Sequence, residues 1–510
     1  MSNTKTIAKN TGWYGLESAV SSILQVFTSI AIARTLGPTK MGYLIYVTWI
    51  ANTVSNLGGL GIPSTTRKYM AEFLGKGDRG TARYIYFRTL MLQAVLATLA
   101  TGALVLWIFH DATQEYRLAC LLVVLSIWPA MVNFPSAQAN VASEELSKNL
   151  PASVISIFVF FFMIVATIVF HWGVTGVGAS MFLMRTVDFL VRALPTIKRI
   201  RSWEKVHVQP DGLQRRMMTF AWQSIASMIV AIIVWDRSEF ILLKHLCADI
   251  RQVAYYSIAF SMAEWLLMSS AIFTSAASAT IFAQYGRDKS KVANITASTF
   301  RYLALTSIPL HFIAAALSAP ALVLIYGKAY AGAAIVVTLS PLMCLPKAFI
   351  GPVQSLLQTY ERQGYIIAGT IIAGIIDIGV AWYLIPAKGA VGACIGSGAA
   401  QIAAVGLMWA IGIFLYKVRL PWALVAKVTF ISALASLSAH WITTLMAPLW
   451  GILAGGFAAL IALLGLFYLM RVLQPEDRER LSTLSSLLPK PLSVLANRTL
   501  TLLVHPVLAE

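Results

Sequence analysis

The stretch PASVISIFVFFFMIVATIVF at residues 151–170 decides the fold, because twenty successive residues carry no charged side chain. A helix of about 20 apolar residues crosses the hydrocarbon core of a bilayer. Hydrophobic residues make up 58% of the 510-residue chain and charged residues 12%, whereas soluble domains carry about 25% charged residues. A water-soluble enzyme is therefore excluded. Unbroken apolar runs also exclude an outer-membrane barrel, whose strands alternate apolar and polar residues.

Similar apolar runs recur along the chain, separated by charged or turn-forming segments. They predict an all-α polytopic membrane protein with about 14 transmembrane helices. The predicted spans are 14–33, 42–62, 85–109, 118–137, 151–170, 174–194, 218–242, 253–282, 300–320, 332–357, 365–385, 389–415, 422–442 and 448–470. We expect the first span to be retained, since Glu17 makes it too polar for a signal-peptide core. The segments 64–84 and 138–149 are predicted to be surface connections.

The distribution of basic residues predicts the orientation in the membrane. Lys and Arg total 39 against 21 Asp and Glu, which gives a net charge of +18. With the N-terminus inside, only seven of the 39 fall in predicted external segments. These seven are Arg34, Lys40, Arg117, Lys244, Arg251, Lys328 and Lys388. The positive-inside rule then predicts two cytoplasmic termini, and it explains the basic surplus without a nucleic-acid partner.

The chain repeats itself at an offset of 210 to 214 residues. ARTLGPTKMGYLIYVT (33–48) follows the first span and LKHLCADIRQVAYYSIA (243–259) follows the seventh. In the same order, TGVGAS (175–180) matches GAVGAC (389–394) at the start of spans 6 and 12. An even number of spans separates the copies, so the two halves are predicted to be parallel repeats.

The repeat predicts five regions. These are an N-terminal lobe of six helices (1–197), a cytoplasmic linker (198–217), a C-terminal lobe of six helices (218–416), spans 13 and 14 (417–471) and a tail (472–510). The tail alternates leucine with Ser, Thr and Arg, which is typical of an amphipathic helix on a membrane surface. The four cysteines have neither metal-site nor disulfide-framework spacing, so no metal or cofactor is expected.

These features together resemble the multidrug/oligosaccharidyl-lipid/polysaccharide exporter superfamily. The segments that carry the resemblance are ARTLGPTKMGYLIY (33–46), WDRSEFILLK (235–244) with AYYSIA (254–259), and the GAVGA turn (389–393). Within the superfamily, the chain is most similar to bacterial flippases for O-antigen and exopolysaccharide repeat units on undecaprenyl diphosphate. The likeness covers about residues 8–470. It departs from the family pattern at His245 and Cys247, where glycine is commoner.

The resemblance implies two lobes around a central cavity that opens alternately to each side of the bacterial inner membrane. It implies a monomer that carries a lipid-linked oligosaccharide, with a polysaccharide polymerase or a glycosyltransferase as partner. The basic residues within the spans fit this cargo, because an anionic diphosphate inside a membrane needs cationic partners. No GxxxxGK[ST] phosphate-binding loop occurs, so we expect no ATP drive within this chain and no enzyme activity. The energy then comes from an ion gradient, the membrane potential or the substrate gradient, and we expect coupling to H⁺ or Na⁺.

Ionisable residues within spans are costly and are therefore candidate functional groups. On span 7, Arg237 is predicted to bind the substrate's phosphate, with Asp236 and Glu239 as ion-coupling carboxylates. The alternative is a self-neutralising cluster that anchors the helix. On span 6, Arg185 and Asp188 have the same two candidate roles, and a same-helix ion pair is the structural alternative.

The remaining candidates are single charges. Lys347 lies between Pro346 and Pro352, where it can line a cavity or cap carbonyl groups that the prolines free. Three isolated carboxylates are candidate ion-coupling groups or buried hydrogen-bond donors: Glu17, Glu264 and Asp377. Three arginines near span ends are candidate substrate cations, although snorkelling to the interface also explains them: Arg34, Arg67 and Arg88.

Several rival functions stay open at the level of sequence. The nearest is a lipid II flippase for peptidoglycan precursors, which shares the fourteen-span plan. A cation-coupled multidrug exporter usually has twelve spans and an acidic cavity, which the basic residues of this chain disfavour. A membrane glycosyltransferase needs a large external loop or an acidic metal motif that the sequence lacks. A membrane scaffold without transport is the simplest alternative.

Overall fold

A computed structural model describes residues 3–111, 115–143, 145–205, 211–222, 225, 239–360 and 362–473. The described residues are helical, and they contain no strand. The α-helices are α1 Asn3–Gly58, α2 Ile62–Gly75, α3 Arg79–Asp111, α4 Arg117–Leu125, α5 Ile127–Ala142, α6 Leu150–Val169, α7 Gly173–Arg201, α8 Glu239–Leu246, α9 Arg251–Arg287, α10 Val292–Tyr326, α11 Ala334–Cys344, α12 Ile350–Thr359, α13 Gln363–Lys388, α14 Ala390–Tyr416, α15 Trp422–Leu445 and α16 Pro448–Leu469. Four short 3₁₀ segments connect them, at Leu146–Lys148, Lys289–Lys291, Lys328–Ala333 and Leu345–Phe349.

The membrane-spanning character of the chain follows from its helices. Within the described part, ten helical segments are long and apolar enough to cross a bilayer. Helices span membranes because every backbone polar group finds its partner inside the segment. Further predicted spans lie in α1, which covers the first two, and in α9, which covers the eighth. The predicted all-α polytopic membrane fold is confirmed.

Two spans are broken where the sequence places Gly or Pro. In α1 the break lies at Gly37, whose φ of 71° and ψ of 171° leave helical geometry just before Pro38. Glycine adopts this positive φ without the steric cost of a side chain. The predicted loop between spans 1 and 2 is therefore reduced to this kink. In span 10, α11 ends at Cys344 and α12 begins at Ile350, with a 3₁₀ turn around Pro346 between them.

The chain forms two compact units, Met1–Lys244 and His245–Glu510. We call them unit 1 and unit 2. The boundary falls inside α8, after the predicted seventh span, whereas the sequence places the linker between the lobes at 198–217. Unit 2 includes α15 and α16, which pack against α10. The lobe boundaries drawn from the repeat remain a prediction.

Each unit is held together by interlocking side chains rather than by exclusion of water, because lipid tails are as apolar as the helix surfaces. In unit 1, Tyr86 is fully buried and its hydroxyl hydrogen-bonds with that of Ser136 at 2.8 Å. In unit 2, the ring of Phe300 lies 4.7 Å from that of Phe349 and 5.0 Å from that of Trp409. The Trp409 indole also donates to the Phe349 carbonyl at 3.0 Å.

The two repeated glycines each make a close contact with a neighbouring helix of their own unit, although the two neighbours are not equivalent helices. A Cβ added at Gly178 of α7 would lie 2.7 Å from the Ala119 carbonyl oxygen. A Cβ at the matching Gly392 of α14 would lie 2.7 Å from the Leu384 carbonyl oxygen. Both distances are shorter than side chains tolerate, so the repeated glycine allows close helix approach at the start of spans 6 and 12.

Candidate functional site

Unit 2 contains a small cavity between α9, α11, the 3₁₀ turn after α11, and α14. Its volume is about 30 Å³. One buried water needs about 10–15 Å³ of cavity volume, so this cavity has room for about two waters. Its polar lining residues are Tyr256, Glu264, Ser340, Cys344, Lys347, Cys394, Ser397 and Gln401.

The cavity brings together two residues that the sequence predicts separately, Glu264 and Lys347. Glu264 lies on α9, one residue after the buried Ala263 that also lines the cavity. Lys347 lies in the 3₁₀ turn, where Pro346 interrupts the helix and lets the chain turn towards α9 and α14. The structure thus places an acid and a base, the exposed Glu264 and the half-buried Lys347, on the wall of one small cavity.

Gln401 on α14 is the third strongly polar group of the cavity, and the sequence predictions missed it. Its side chain is 8% exposed. Its amide nitrogen donates to the Ser397 hydroxyl at 3.4 Å, while its Oε1 accepts no hydrogen bond from any described residue. A buried acceptor without a donor is costly, so this oxygen is suited to a water or a protonated group. The sequence signal was available, because Gln401 is the single amide side chain of the predicted span 389–415.

The size and chemistry of the cavity limit what it can do. Even benzene needs a cavity of about 150 Å³, so a sugar ring does not fit. A carboxylate, an ammonium group, an amide and three hydroxyls around a space for about two waters can pass or hold a proton. The side chains of Ser340 and Cys344 are held in place on the cavity wall, because they donate to the carbonyls of Ala259 at 3.0 Å and Ala263 at 3.9 Å.

Unit 1 holds a second intramembrane polar cluster, which we call the Asp188 cluster. One Asp188 oxygen pairs with Arg192 at 2.6 Å and the other accepts from the Asn133 amide at 2.6 Å. Arg192 also donates to the Ser153 hydroxyl at 2.9 Å. The cluster therefore ties α5, α6 and α7 together. The signal for Arg192 was its spacing of four residues from Asp188, which puts the two on one helix face.

Arg185 is not the ion-pair partner of Asp188, so the same-helix pair that forms is a different one from the alternative raised by the sequence. Arg185 lies on α7, is half-buried, and donates no hydrogen bond to any residue that the structure describes. Its guanidinium lies close enough to Asp188 for an electrostatic interaction. Asp188 thus pairs with the arginine four residues after it rather than with the one three residues before it.

The other predicted cations of unit 1 lie on exposed surfaces of separate elements. Arg34 is exposed on α1 before the kink, and Arg67 is exposed on α2. Arg88 on α3 is exposed and donates to the Tyr84 hydroxyl at 2.7 Å and to Gln214 at 3.3 Å. None of these three lines the unit 2 cavity.

The remaining predicted residues are distributed as follows. Asp236 and Arg237 lie outside the described residues, and so does the side chain of Glu17. Glu239 begins α8 and is 2% exposed. Asp377 on α13 is 3% exposed and does not line the cavity around Glu264. The structure therefore unites two of the predicted site residues, and the roles of the others remain predictions.

The amino-terminal half of the chain matches the family described as polysaccharide biosynthesis protein, over residues 7–286. No individual curated protein is similar enough in sequence to add a significant match.

Solved structures share the fold at low sequence identity. The lipid II flippase MurJ in an inward closed conformation is 14% identical, with a TM-score of 0.68 over 90% of this chain and 98% of that one. An inward-facing multidrug resistance MATE transporter of the MOP superfamily is 13% identical, with a TM-score of 0.64 over 78% and 94%. A MOP superfamily transporter from Pyrococcus furiosus is 13% identical, with a TM-score of 0.52 over 80% and 96%.

The family match spans more than half of the chain, and the shared fold extends over most of the remainder. The resemblance predicted from ARTLGPTKMGYLIY, WDRSEFILLK and the GAVGA turn is thereby confirmed. The chain belongs to the polysaccharide biosynthesis protein family and has the fold of the multidrug/oligosaccharidyl-lipid/polysaccharide exporter superfamily.

Proposed function

We propose that the protein is a flippase for undecaprenyl-diphosphate-linked oligosaccharide repeat units of an O-antigen or exopolysaccharide. It moves them from the inner to the outer leaflet of the bacterial cytoplasmic membrane, with both of its termini in the cytoplasm. The observation that carries the proposal is the family match over residues 7–286. Three cations within predicted spans, Arg185, Arg237 and Lys347, support it, since the cargo's diphosphate is anionic.

Transport proceeds by alternating access between two lobes and draws on an ion gradient. In this proposal Arg237 contacts the diphosphate, with Asp236 and Glu239 as its resting partners. The cavity around Glu264 and Lys347 supplies the coupling step in unit 2. Its volume of about 30 Å³ favours a proton, carried by the Glu264 carboxyl, over any part of the glycan. Lys347 lines the same cavity and supplies a positive charge beside that proton site.

A lipid II flippase is the second candidate, since MurJ shares the fold over 90% of this chain. Both candidates bind a polyprenyl diphosphate, and they differ in the glycan. A multidrug exporter is the third candidate because of the likeness to MATE transporters. The name of the matched family, polysaccharide biosynthesis protein, favours the first.

The test is a leaflet-accessibility assay with the full-length protein in proteoliposomes. Three cargoes are compared: an O-antigen-type lipid-linked oligosaccharide, lipid II and a lipophilic cationic drug. We expect translocation of the first, inhibited by a protonophore and insensitive to a Na⁺ ionophore. Preferential translocation of lipid II or export of the drug would overturn the substrate assignment. Equal rates with both ionophores present would overturn ion coupling.

A further inference from the structure

Unit 1 contains a larger cavity at the end of the unit that the positive-inside rule places outside. Its volume is about 150 Å³, five times that of the cavity in unit 2. The walls come from the part of α1 before the kink, the end of α6, the turn after it, and the start of α7. They consist of Ile32, Thr35, Leu36, Ile164, Thr167, Ile168, His171, Gly173 and Val177.

The interior of this cavity is apolar. Ile32, Ile164 and Val177 are 7%, 2% and 3% exposed and carry no polar side-chain atom. The two threonine hydroxyls are already satisfied within their own helices. Thr167 donates to the Met163 carbonyl at 2.8 Å, and Thr35 donates to the Ala31 carbonyl. These buried apolar walls can pack against an apolar group that enters the cavity.

The mouth of the cavity is polar and lies among interfacial aromatic residues. His171 is exposed there, and its φ of 57° lies in the left-handed region that side-chain-bearing residues seldom adopt. Its neighbours Phe170 and Trp172 are exposed and stacked, with ring centroids 5.4 Å apart. Exposed aromatic rings of this kind mark the boundary between lipid tails and headgroups. An occupant would therefore have an apolar part inside and a polar part near His171.

We propose that this cavity binds one isoprene unit of the cargo's polyprenyl chain, the unit next to the diphosphate, at the outer leaflet. A cavity of about 150 Å³ holds a benzene molecule, so a branched five-carbon unit fits, while a whole sugar or a long chain does not. The occupant's chemistry rests on the proposed function, because that function supplies a polyprenyl diphosphate.

The experiment uses the full-length protein in phospholipid vesicles with a polyprenyl diphosphate that carries a diazirine on its first isoprene unit. After irradiation, labelled peptides are identified by mass spectrometry. We expect labelling within residues 164–177 and on the α1 segment around Leu36. Val177→Phe fills the cavity and is expected to reduce labelling about tenfold, in line with the effect of small changes in apolar pockets.

The control is Val169→Phe, since Val169 lies on α6 and is 62% exposed outside the cavity. This variant should be labelled to the same extent as the unsubstituted protein. If Val177→Phe does not fold, Ile168→Phe fills the same cavity from its partly exposed wall. A folded cavity-filling variant that labels fully would overturn the proposal. So would equal labelling of these peptides by a phosphatidylglycerol with a diazirine in its acyl chain.

The labelling test separates this inference from the proposed function. Labelling needs no oligosaccharide and no net translocation. A protein that labels here but does not move lipid-linked oligosaccharide would overturn the proposed function and leave the isoprenoid site standing. A protein that moves the oligosaccharide but is not labelled in the cavity would overturn the isoprenoid site and leave the proposed function standing.

Discussion

The Asp188 cluster of unit 1 and the Glu264 cavity of unit 2 treat intramembrane charge in opposite ways. In unit 1, both carboxylate oxygens of Asp188 are engaged, by Arg192 at 2.6 Å and by Asn133 at 2.6 Å. In unit 2, Glu264 and Lys347 border a space with room for about two waters. A carboxylate with fixed partners on three helices holds those helices in place. Glu264 instead lines a cavity together with Lys347 and Gln401.

The repeat makes this difference informative, because the two sites use matching helices. At the offset of 214 residues that relates Gly178 to Gly392, Val187 corresponds to Gln401 and Asp188 to Ile402. In unit 2 the polar residue Gln401 therefore stands one position before the equivalent of Asp188. The charged residues of that unit's cavity, Glu264 and Lys347, lie on α9 and in the 3₁₀ turn before α12. The two units thus carry their intramembrane polar residues at different positions.

The largest expected effect is on transport, from changes in the unit 2 cavity. Glu264→Gln keeps the shape of the side chain but removes its exchangeable proton. Lys347→Met keeps the length and removes the charge. We expect each to lower translocation about a hundredfold, equivalent to about 2.8 kcal/mol. The thermal midpoint of the purified protein should stay nearly unchanged.

The control for Glu264→Gln is Glu72→Gln on α2, outside the predicted spans. Glu72 pairs with Lys76 at 2.7 Å and with Arg216 at 3.1 Å, and these contacts hold its pKa below the ordinary value. Its loss should leave translocation intact. Normal translocation by Glu264→Gln would mean that the cavity has no part in coupling and would break the comparison between the units.

The next effect is on stability, from the Asp188 cluster. Asp188→Ala leaves the Arg192 guanidinium largely buried without its carboxylate, and we expect a loss of about 3 kcal/mol in the free energy of unfolding. The double variant Asp188→Leu with Arg192→Met removes both charges and should recover most of that loss. Thermal unfolding measures the stability, and translocation per folded molecule should be unchanged. A stable Asp188→Ala protein without transport would place Asp188 in the transport machinery.

The sequence was sufficient for the fold and insufficient for the sites. Runs such as 151–170 predict the membrane helices, because length and apolarity alone decide whether a segment spans. The breaks follow from single residues, since Gly37 permits a positive φ and Pro346 interrupts a helix. The matching glycines 178 and 392 anticipate the close contacts of both units.

Side-chain partners depend on how each helix is rotated about its axis, which spacing along one helix does not determine. Glu264 and Lys347 are 83 residues apart and meet only because α9 packs against the elements around the 3₁₀ turn. Asp188 had two arginines within one turn, and the structure selects Arg192. Gln401 lies in a Gly- and Ala-rich span, and only the packing of α14 shows that its side chain lines the cavity.

The smallest expected effect is on stability, from substitutions of the two repeated glycines. Gly178→Ala and Gly392→Ala each put a Cβ about 2.7 Å from a carbonyl oxygen of a neighbouring helix. Overpacking of this kind costs about 1–3 kcal/mol. The matched controls are Gly102→Ala on α3 and Gly406→Ala on α14, where a Cβ would meet nothing within 4 Å. Those two changes should be neutral or stabilising, since alanine favours helix more than glycine does.

The two glycines should differ in degree because their neighbours differ in freedom. Gly178 faces α4, a helix of nine residues that can shift to make room. Gly392 faces the end of α13, which joins α14 through Gly389 alone, and the Ala390 amide is fixed by a hydrogen bond from its N–H to Gln252 at 3.0 Å. These two helices cannot separate without breaking the turn. Gly392→Ala should therefore lower the thermal midpoint more than Gly178→Ala, and the reverse order would show that unit 1 is the more rigid half.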